Sequence, residues 1–364
     1  LARPDERIVM TLDSALPLRA TNPVTHSYTA LAQQVRSAGL NGRTYRFYLL
    51  LFGGLLLALA GSVAGIALIG DSWFQLLMAA ALGVVFTQLA FVGHEASHRQ
   101  VLASGRANDR VGWLLATVFA GISYSWWMNK HTRHHGNPNK VGKDPDIETD
   151  TFAFVDVDAA GRRGVFAWFT RHQGIFFFPL LMLEGVNLHV KSLRSVWGNR
   201  NQAGPRLELI VLSLRFVVYL TLVFWIFPLG MAFAFLGVQL AVFGLYMGAS
   251  FAPNHIGMPI VARDAKLDFL AKQVRTSRNV SGGWWATALM GGLNYQIEHH
   301  LFPSMPRPHL AAARRLVREH CRISDVPYTE TNLLTAWAIV IRYLNQVGLA
   351  ARDSFRCPIA AQLR

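Results

Sequence analysis

The sequence predicts an all-α integral membrane protein of four transmembrane helices, paired as two hairpins. Three observations lead there. Apolar residues fill 52% of the 364 positions against 15% charged, a ratio too lopsided for a water-soluble globule of this length. Two long blocks are nearly free of cations: no Lys or Arg lies between Phe47 and Gly93, and only Arg215 lies between Leu209 and Pro253. Each block is long enough for two helical crossings of ~30 Å of hydrocarbon and carries a turn near its middle.

The elements follow in chain order. Residues 27–48 are amphipathic, with Leu31, Val35 and Leu40 near one face, and predict an interfacial helix. Residues 47–70 and 72–91 form the first hairpin, closed at Gly70 and Asp71. Residues 209–227 and 231–251 form the second, across Pro228, Leu229 and Gly230. Two further apolar stretches, 111–127 and 174–190, are too short or interrupted for confident spans and predict interfacial or buried helices. No Pro/Ser/Gly-rich linker or fixed-period repeat divides the chain.

Topology alone then sets the parts: a cytosolic segment 1–45 with the interfacial helix, a hairpin at 46–93, a polar region 94–208, a hairpin at 209–252, and a polar tail 253–364. Each hairpin returns to the side it left, so the polar regions share one compartment. Their Lys and Arg content makes that compartment the cytosol and the membrane the cell (cytoplasmic) membrane.

The net charge of +14 is accordingly a cationic inner surface facing membrane lipids, and nucleic acid is not an expected partner. Cys321 and Cys357, both on the cytosolic side, are expected as free thiols. The first residues carry no signal-peptide pattern, so insertion is expected to depend on the first spanning helix. Arg215, inside the third span, needs a partner, a snorkelling route or a shifted helix boundary.

Of thirteen histidines, eight fall into four tight places. His94 and His98 (HEASH) stand at i and i+4 and share one helical face. His131, His134 and His135 (HTRHH) repeat the idea, with the last two about 100° apart around the axis, so that adjacent rings can serve different metals. His299 and His300 close QIEHH, where Gln296 occupies the place of a first histidine, and His255 follows Asn254 just beyond the last span. All four places lie at the same mouth of the two hairpins.

Eight imidazoles at one level would repel and resist desolvation as cations unless a metal holds them neutral. His26, His172, His309 and His320 are expected to be ordinary hydrogen-bonded residues. His189, after Glu184 and Asn187, divides between packing and a role beside the site. Structural zinc needs only four ligands and usually cysteine. So many imidazoles with few carboxylates suit imidazole-binding Fe, Cu or Zn. Two redox-active irons fit best, with di-zinc or copper as the alternative.

The motifs HEASH, HTRHH and QIEHH, in this order and with the second apolar hairpin between the second and third, closely resemble the three histidine boxes of the membrane fatty acid desaturase family. The similarity runs from about Tyr48 to Pro308 and includes the flanking runs GKDPD (142–146) and NYQIEHHLFP (294–303). It implies a four-span bundle with a cytosolic helical cap. It also implies a di-iron centre held by His94, His98, His131, His134, His135, His255, His299 and His300. Asn254 and Gln296 are implied near the metal, through a water or, for Gln296, by direct contact. Gln in the third box is similar to front-end desaturases.

What the resemblance implies chemically is oxygen-dependent insertion of a double bond into a fatty acyl chain carried by coenzyme A or a lipid. A membrane di-iron hydroxylase would use the same ligands, and a non-enzymatic metal-binding protein would predict ionisable residues in the spans. No HPGG-like haem motif and no GxGxxG after a strand is present, so electrons are expected from a ferredoxin-like or cytochrome b5-like donor with its reductase. Trp126, Trp127 and Tyr295 are expected near an acyl tunnel, with a core or interfacial-belt role as the alternative for the tryptophans. Lys143, Arg275 and Arg278 are candidates for a coenzyme A phosphate or lipid headgroup. Asp144, Asp146, Glu95 and Glu298 are candidate acceptors for ligand N–H groups.

Overall fold

A computed structural model describes residues 24–352, with side chains from Ser27 to Ala351. The expectations for His26 and Cys357 lie outside the described residues. The chain is mostly helical. In order it forms α1 (Val24–Ser37), α2 (Tyr45–Ile69), α3 (Gln75–Ser97), and α4 (Gly105–Trp113), which runs on as a π-helical turn (Leu114–Ala120). Next come α5 (Tyr124–Gly136), α6 (Asp156–Ala160), α7 (Gly164–Arg171), α8 (Gln173–Leu181), α9 (Glu184–Gly198), α10 (Ala203–Ile226) and α11 (Leu229–His255). The last part holds α12 (Phe269–Arg275), β1 (Asn279–Ser281), α13 (Gly283–Leu289), α14 (Gln296–Leu301), α15 (Arg307–Ile323), β2 (Glu330–Asn332) and α16 (Leu333–Leu349). The two strands make one short parallel pair, Val280 opposite Thr331.

Among the described residues four helices, α2, α3, α10 and α11, are long and apolar enough to cross a membrane. Only 6% of the most apolar stretch of α2 and 11% of that of α10 is buried, against 56% for α3 and 33% for α11. The inner pair is therefore α3 with α11, and the outer helices turn residues such as Leu57, Leu68, Leu214 and Val217 outward, a surface suited to lipid. The inner pair approaches closely at Gly83, where a Cβ would lie 2.8 Å from the Gln239 carbonyl oxygen. Leu89, Phe235 and Phe243 fill the core between these helices.

The two weaker apolar stretches are not single helices. The path from α4 through the π-helical turn into α5 bends by 114°, and α8 into α9 by 75°. The first bend requires Gly121, whose φ of +75° lies in the left-handed region that disfavours a side chain. Arg215 answers its own problem at this corner: it donates to the Phe119 carbonyl at 3.2 Å and lies over the rings of Phe216 and Tyr219, so a carbonyl and aromatic faces take the place of a carboxylate.

The predicted interfacial helix also differs. Helix α1 ends at Ser37, seven residues before the N-cap of α2 at Thr44. Its apolar face is covered by protein rather than left to a membrane surface. Leu31, Val35 and Leu40 are buried with Leu270, Val274, Ile297 and Val317 in a core shared by α1, α12, α14 and α15. Amphipathic periodicity fixes which face is buried but not what buries it. Cys321 sits in that same core as a free thiol.

Candidate metal centre

The C-terminal ends of α3 and α11 meet at one end of the core, and α5 and α14 close over them. Helix α3 continues past its apolar run, so His94 is its last-turn residue and His98 its C-cap. His255 is the last residue of α11. The i, i+3, i+4 spacing in α5 turns His131, His134 and His135 inward, and the single turn of α14 carries Gln296, His299 and His300, all buried.

All eight histidines come together, in two contiguous groups. One nitrogen from each of His94, His98, His131, His135 and His299 lies within 4.8 Å of the others, and the same holds for His134, His255 and His300. The groups touch where the rings of His135 and His300 stack, 4.2 Å between centroids. Adjacent residues split as helix geometry requires: His134 and His135 serve different groups, as do His299 and His300.

Three rings have their orientation fixed from behind. His134 donates Nδ1–H to Asp144 at 3.0 Å, and the fully buried Asp144 is held by the backbone N–H groups of Asn139 and Asp146. His255 donates from Nδ1 to the Thr276 carbonyl at 2.9 Å. His300 donates from Nδ1 to Gln273 Oε1 at 2.9 Å, and the Gln273 amide donates onward to the His135 carbonyl. With Nδ1 committed, each Nε2 offers a lone pair to the interior.

These nitrogens fit a metal and little else. The Nε2 atoms of His135, His299 and His300 are buried with no hydrogen-bond partner, which is costly unless a cation accepts the lone pair. His98 Nε2 lies 2.7 Å from His131 Nε2, too close for two protonated rings. Burial pushes His98 down to about 3. Burial, aided by neighbouring imidazoles, holds His299 and His300 well below the ordinary imidazole range. These rings are therefore neutral imidazoles, the form that binds metal, whereas burial of His134 is outweighed by the Asp146 and Asp144 carboxylates, which raise it.

Near the second group the Gln296 amide nitrogen lies 2.9 Å from His255 Nε2, and Gln296 Oε1 accepts from Asn254 at 3.2 Å. Asn254 Oδ1 is buried without a partner. Trp127 stacks on His131, 4.6 Å between centroids, and Phe251 packs edge-on to both His94 and Trp127, giving the first group an apolar wall. Trp126 lies against the core of the spans, and Tyr295 against the α1–α15 core.

Residues 71–332 match the family model described as "Fatty acid desaturase". The chain belongs to the fatty acid desaturase family. Curated relatives agree. A Delta(8)-fatty-acid desaturase of Helianthus annuus is 28% identical over 354 residues, covering 91% of this chain and 75% of that protein. An Acyl-lipid (9-3)-desaturase of Borago officinalis is 28% identical over 349 residues, 92% and 77%. A Delta(6)-fatty-acid desaturase of Caenorhabditis elegans is 27% identical over 286 residues, 74% and 64%. This desaturase is an oxidoreductase of fatty acyl chains, with apolar helices fit for a membrane and a buried histidine cluster fit for metal.

Other sequence candidates resolve differently. His189 lies apart from the cluster, stacked on Phe243 and bonded to the Ala120 carbonyl, so it packs the core. Arg278 is buried and donates to the Pro253 and Ile256 carbonyls. It thereby caps the end of α11 and is not free for a phosphate. Glu95 is paired with Arg307 by two hydrogen bonds, and Glu298 accepts from Asn279 and Tyr328; neither carboxylate faces a ligand N–H. Gln273, Thr276 and Arg307 went unsuspected in sequence because each reaches its partner from far along the chain, with no spacing to mark it.

Proposed function

We propose that this desaturase inserts a double bond into the acyl chain of an acyl-CoA or acyl-lipid, using dioxygen and a di-iron centre. The carrying observation is the pair of touching histidine groups, five and three, in which the Nε2 atoms of His135, His299 and His300 are buried without a partner. The assigned ligands are His94, His98, His131, His135 and His299 for one iron, and His134, His255 and His300 for the other. Gln296 and Asn254 complete the poorer second set. End-for-end rotation of the Gln296 amide would turn its oxygen to the metal side.

Iron held there would supply, from dioxygen, the oxidising power that an unactivated methylene demands and no side chain has. The chain's own residues do the rest. Asp144, Gln273 and the Thr276 carbonyl hold the Nδ1 side of His134, His300 and His255 and aim their Nε2 atoms inward. The wall of Trp127 and Phe251 lays acyl methylenes beside the first group and keeps water from it, so the register of the chain against this fixed point selects the carbons. The balance is one dioxygen, two electrons and two protons consumed, with two waters released as the chain loses two hydrogens.

Electrons come from an external ferredoxin-like or cytochrome b5-like donor with its reductase. The topology is two transmembrane hairpins, 46–93 and 209–252, in the cytoplasmic membrane, with 1–45, 94–208 and 253–364 forming the cytosolic side and its helical cap. Supporting this are the two blocks nearly free of cations, with Arg215 alone in the second, and the common end shared by His94, His98 and His255. The front-end relatives and QIEHH support a double bond counted from the carboxyl end.

The test is the fatty acid profile of cells expressing the protein, with iron analysis of the purified chain. New unsaturated acyl chains and about two irons per chain are expected, and His134→Ala should lose iron and product together. Hydroxylated chains alone, or full product from His134→Ala, would refute the reading.

A further inference from the structure

Helix α15 is amphipathic in an unusual sense. Leu310, Ala313, Val317 and Cys321 point into the α1–α15 core, and the opposite side carries Arg315, Arg318 and Arg322, all exposed, at i, i+3 and i+7. These arginines, with Arg314 and Glu319, line an open groove whose other wall includes Tyr328. Arg314 pairs with Glu330, and Arg322 with Glu319. Arg315 and Arg318 have no carboxylate partner among the described residues. Four guanidinium groups thus meet two carboxylates, leaving a cationic strip.

A row of exposed arginines is by default only a solvated face. This one differs in what lies at its back. The Tyr328 hydroxyl donates to Glu298 Oε1 at 2.9 Å, and Glu298 directly precedes His299 and His300 in α14. One hydrogen bond, to the residue next to His299, therefore separates the groove from the helix that carries two residues of the metal centre. The face also does not resemble a membrane-contact surface. Ile323 is the one large apolar side chain of α15 that is markedly exposed, whereas α7 and α8 together expose Val165, Phe166, Trp168 and Ile175.

We infer that the arginine groove of α15 is the docking surface for an acidic electron-carrier protein. This rests on the oxygen-dependent desaturation proposed above, which needs two electrons from outside. At each docking the reduced carrier gives up one electron to the histidine-held centre and leaves oxidised. Two dockings, with two protons from solvent, complete the balance. Charge complementarity at such a rim acts mainly on the association rate and makes it dependent on salt. The side chain of Tyr328 brings the docked partner's edge within one hydrogen-bonded step of α14.

The experiment uses the full iron-loaded chain in nanodiscs and measures binding of two acidic probes, a plant-type ferredoxin and the soluble haem domain of cytochrome b5, at low and high salt. The wild type should bind at least one, with affinity falling steeply as salt rises. Arg315→Glu/Arg318→Glu should bind on the order of tenfold more weakly, while Arg163→Glu/Arg194→Glu, the same charge change at exposed sites elsewhere, should bind as the wild type does. Equal weakening of both variants, no weakening of either, salt-independent binding, or failure of both probes overturns the docking assignment. Loss of binding to anionic phospholipid vesicles with carrier affinity unchanged also overturns it, in favour of a lipid surface. A missing double bond in expressing cells would sink the desaturation reading itself, whereas a double bond formed together with any of those binding outcomes would sink the docking surface alone.

Discussion

The first histidine box is tied to the helix that follows the third by a pair that contains no histidine. Arg307, which opens α15, sends Nε and Nη2 to the two carboxylate oxygens of Glu95 at 2.8 and 2.6 Å. The side chains are 4% and 3% exposed. Glu95 is next to His94 on α3, and the Tyr48 hydroxyl adds a third contact at 3.3 Å. Arg307→Met would leave Glu95 with that hydroxyl alone, a buried charge without its counter-ion, at a cost of about 3–5 kcal/mol. For a chain of this length that lowers the melting temperature by roughly 2 °C per kcal/mol, or about 6–10 °C. Glu95→Met/Arg307→Met removes both charges and should recover most of the loss, because desolvating the pair offsets much of its attraction. Thermal unfolding of the detergent-solubilised protein, followed by size-exclusion fluorescence, reads both shifts. A single variant within about 2 °C of wild type, or a double variant no better than the single, would show that the pair does not hold α3 to α15.

Two further outcomes follow from the centre. Asp144→Asn keeps the shape but weakens the acceptor for His134 Nδ1–H, so iron should be lost to a chelator about 10–100-fold more readily; unchanged retention would remove Asp144 from the metal's support. In metal-free protein the depressed imidazoles of His98, His299 and His300 refuse protons that the unfolded chain binds near 6.5. Stability is then fully present above about pH 6.5 and falls as pH drops toward the folded value of about 3 for His98. Thermal melts of the chelator-treated protein between pH 8 and pH 5 should show this fall, and a flat or rising profile would contradict neutral, buried rings.

What was legible in the sequence divides along a physical line. The four candidate spans are visible because about twenty consecutive apolar residues have few other uses, and the histidine pairs because helix periodicity converts i, i+3 and i+4 into one face. The boundaries were less visible. Helices α3 and α11 run on through polar residues to Ser97 and His255, since hydropathy reports the solvent around a helix and not where its hydrogen bonds stop. The stretches 111–127 and 174–190 hid their corners for the same reason: the bend at Gly121 needs one left-handed residue and a guanidinium from α10, neither of which changes local hydropathy.

Least legible was the support behind the ligands. Thr276 and Gln273 from α12 and its C-cap reach His255 and His300, and Asp144 reaches His134 from the loop after α5. Asp144 is marked by the GKDPD run and was an expected acceptor, whereas Gln273 and Thr276 belong to a segment that no motif singles out; each of the three acts on Nδ1 while leaving Nε2 for the interior. That division has a consequence for assembly. A donor set whose outer nitrogens are already bonded has its tautomers and ring angles chosen by the protein before any ion arrives, so metal binding has little ordering left to do. The first group lacks this arrangement at His94, whose Nδ1 is itself without a partner. Its rings instead lean on one another and on Trp127. The two groups therefore differ in kind: the three-histidine set is held by hydrogen bonds to the scaffold, and the five-histidine set by packing beside the apolar wall, where an acyl chain would lie.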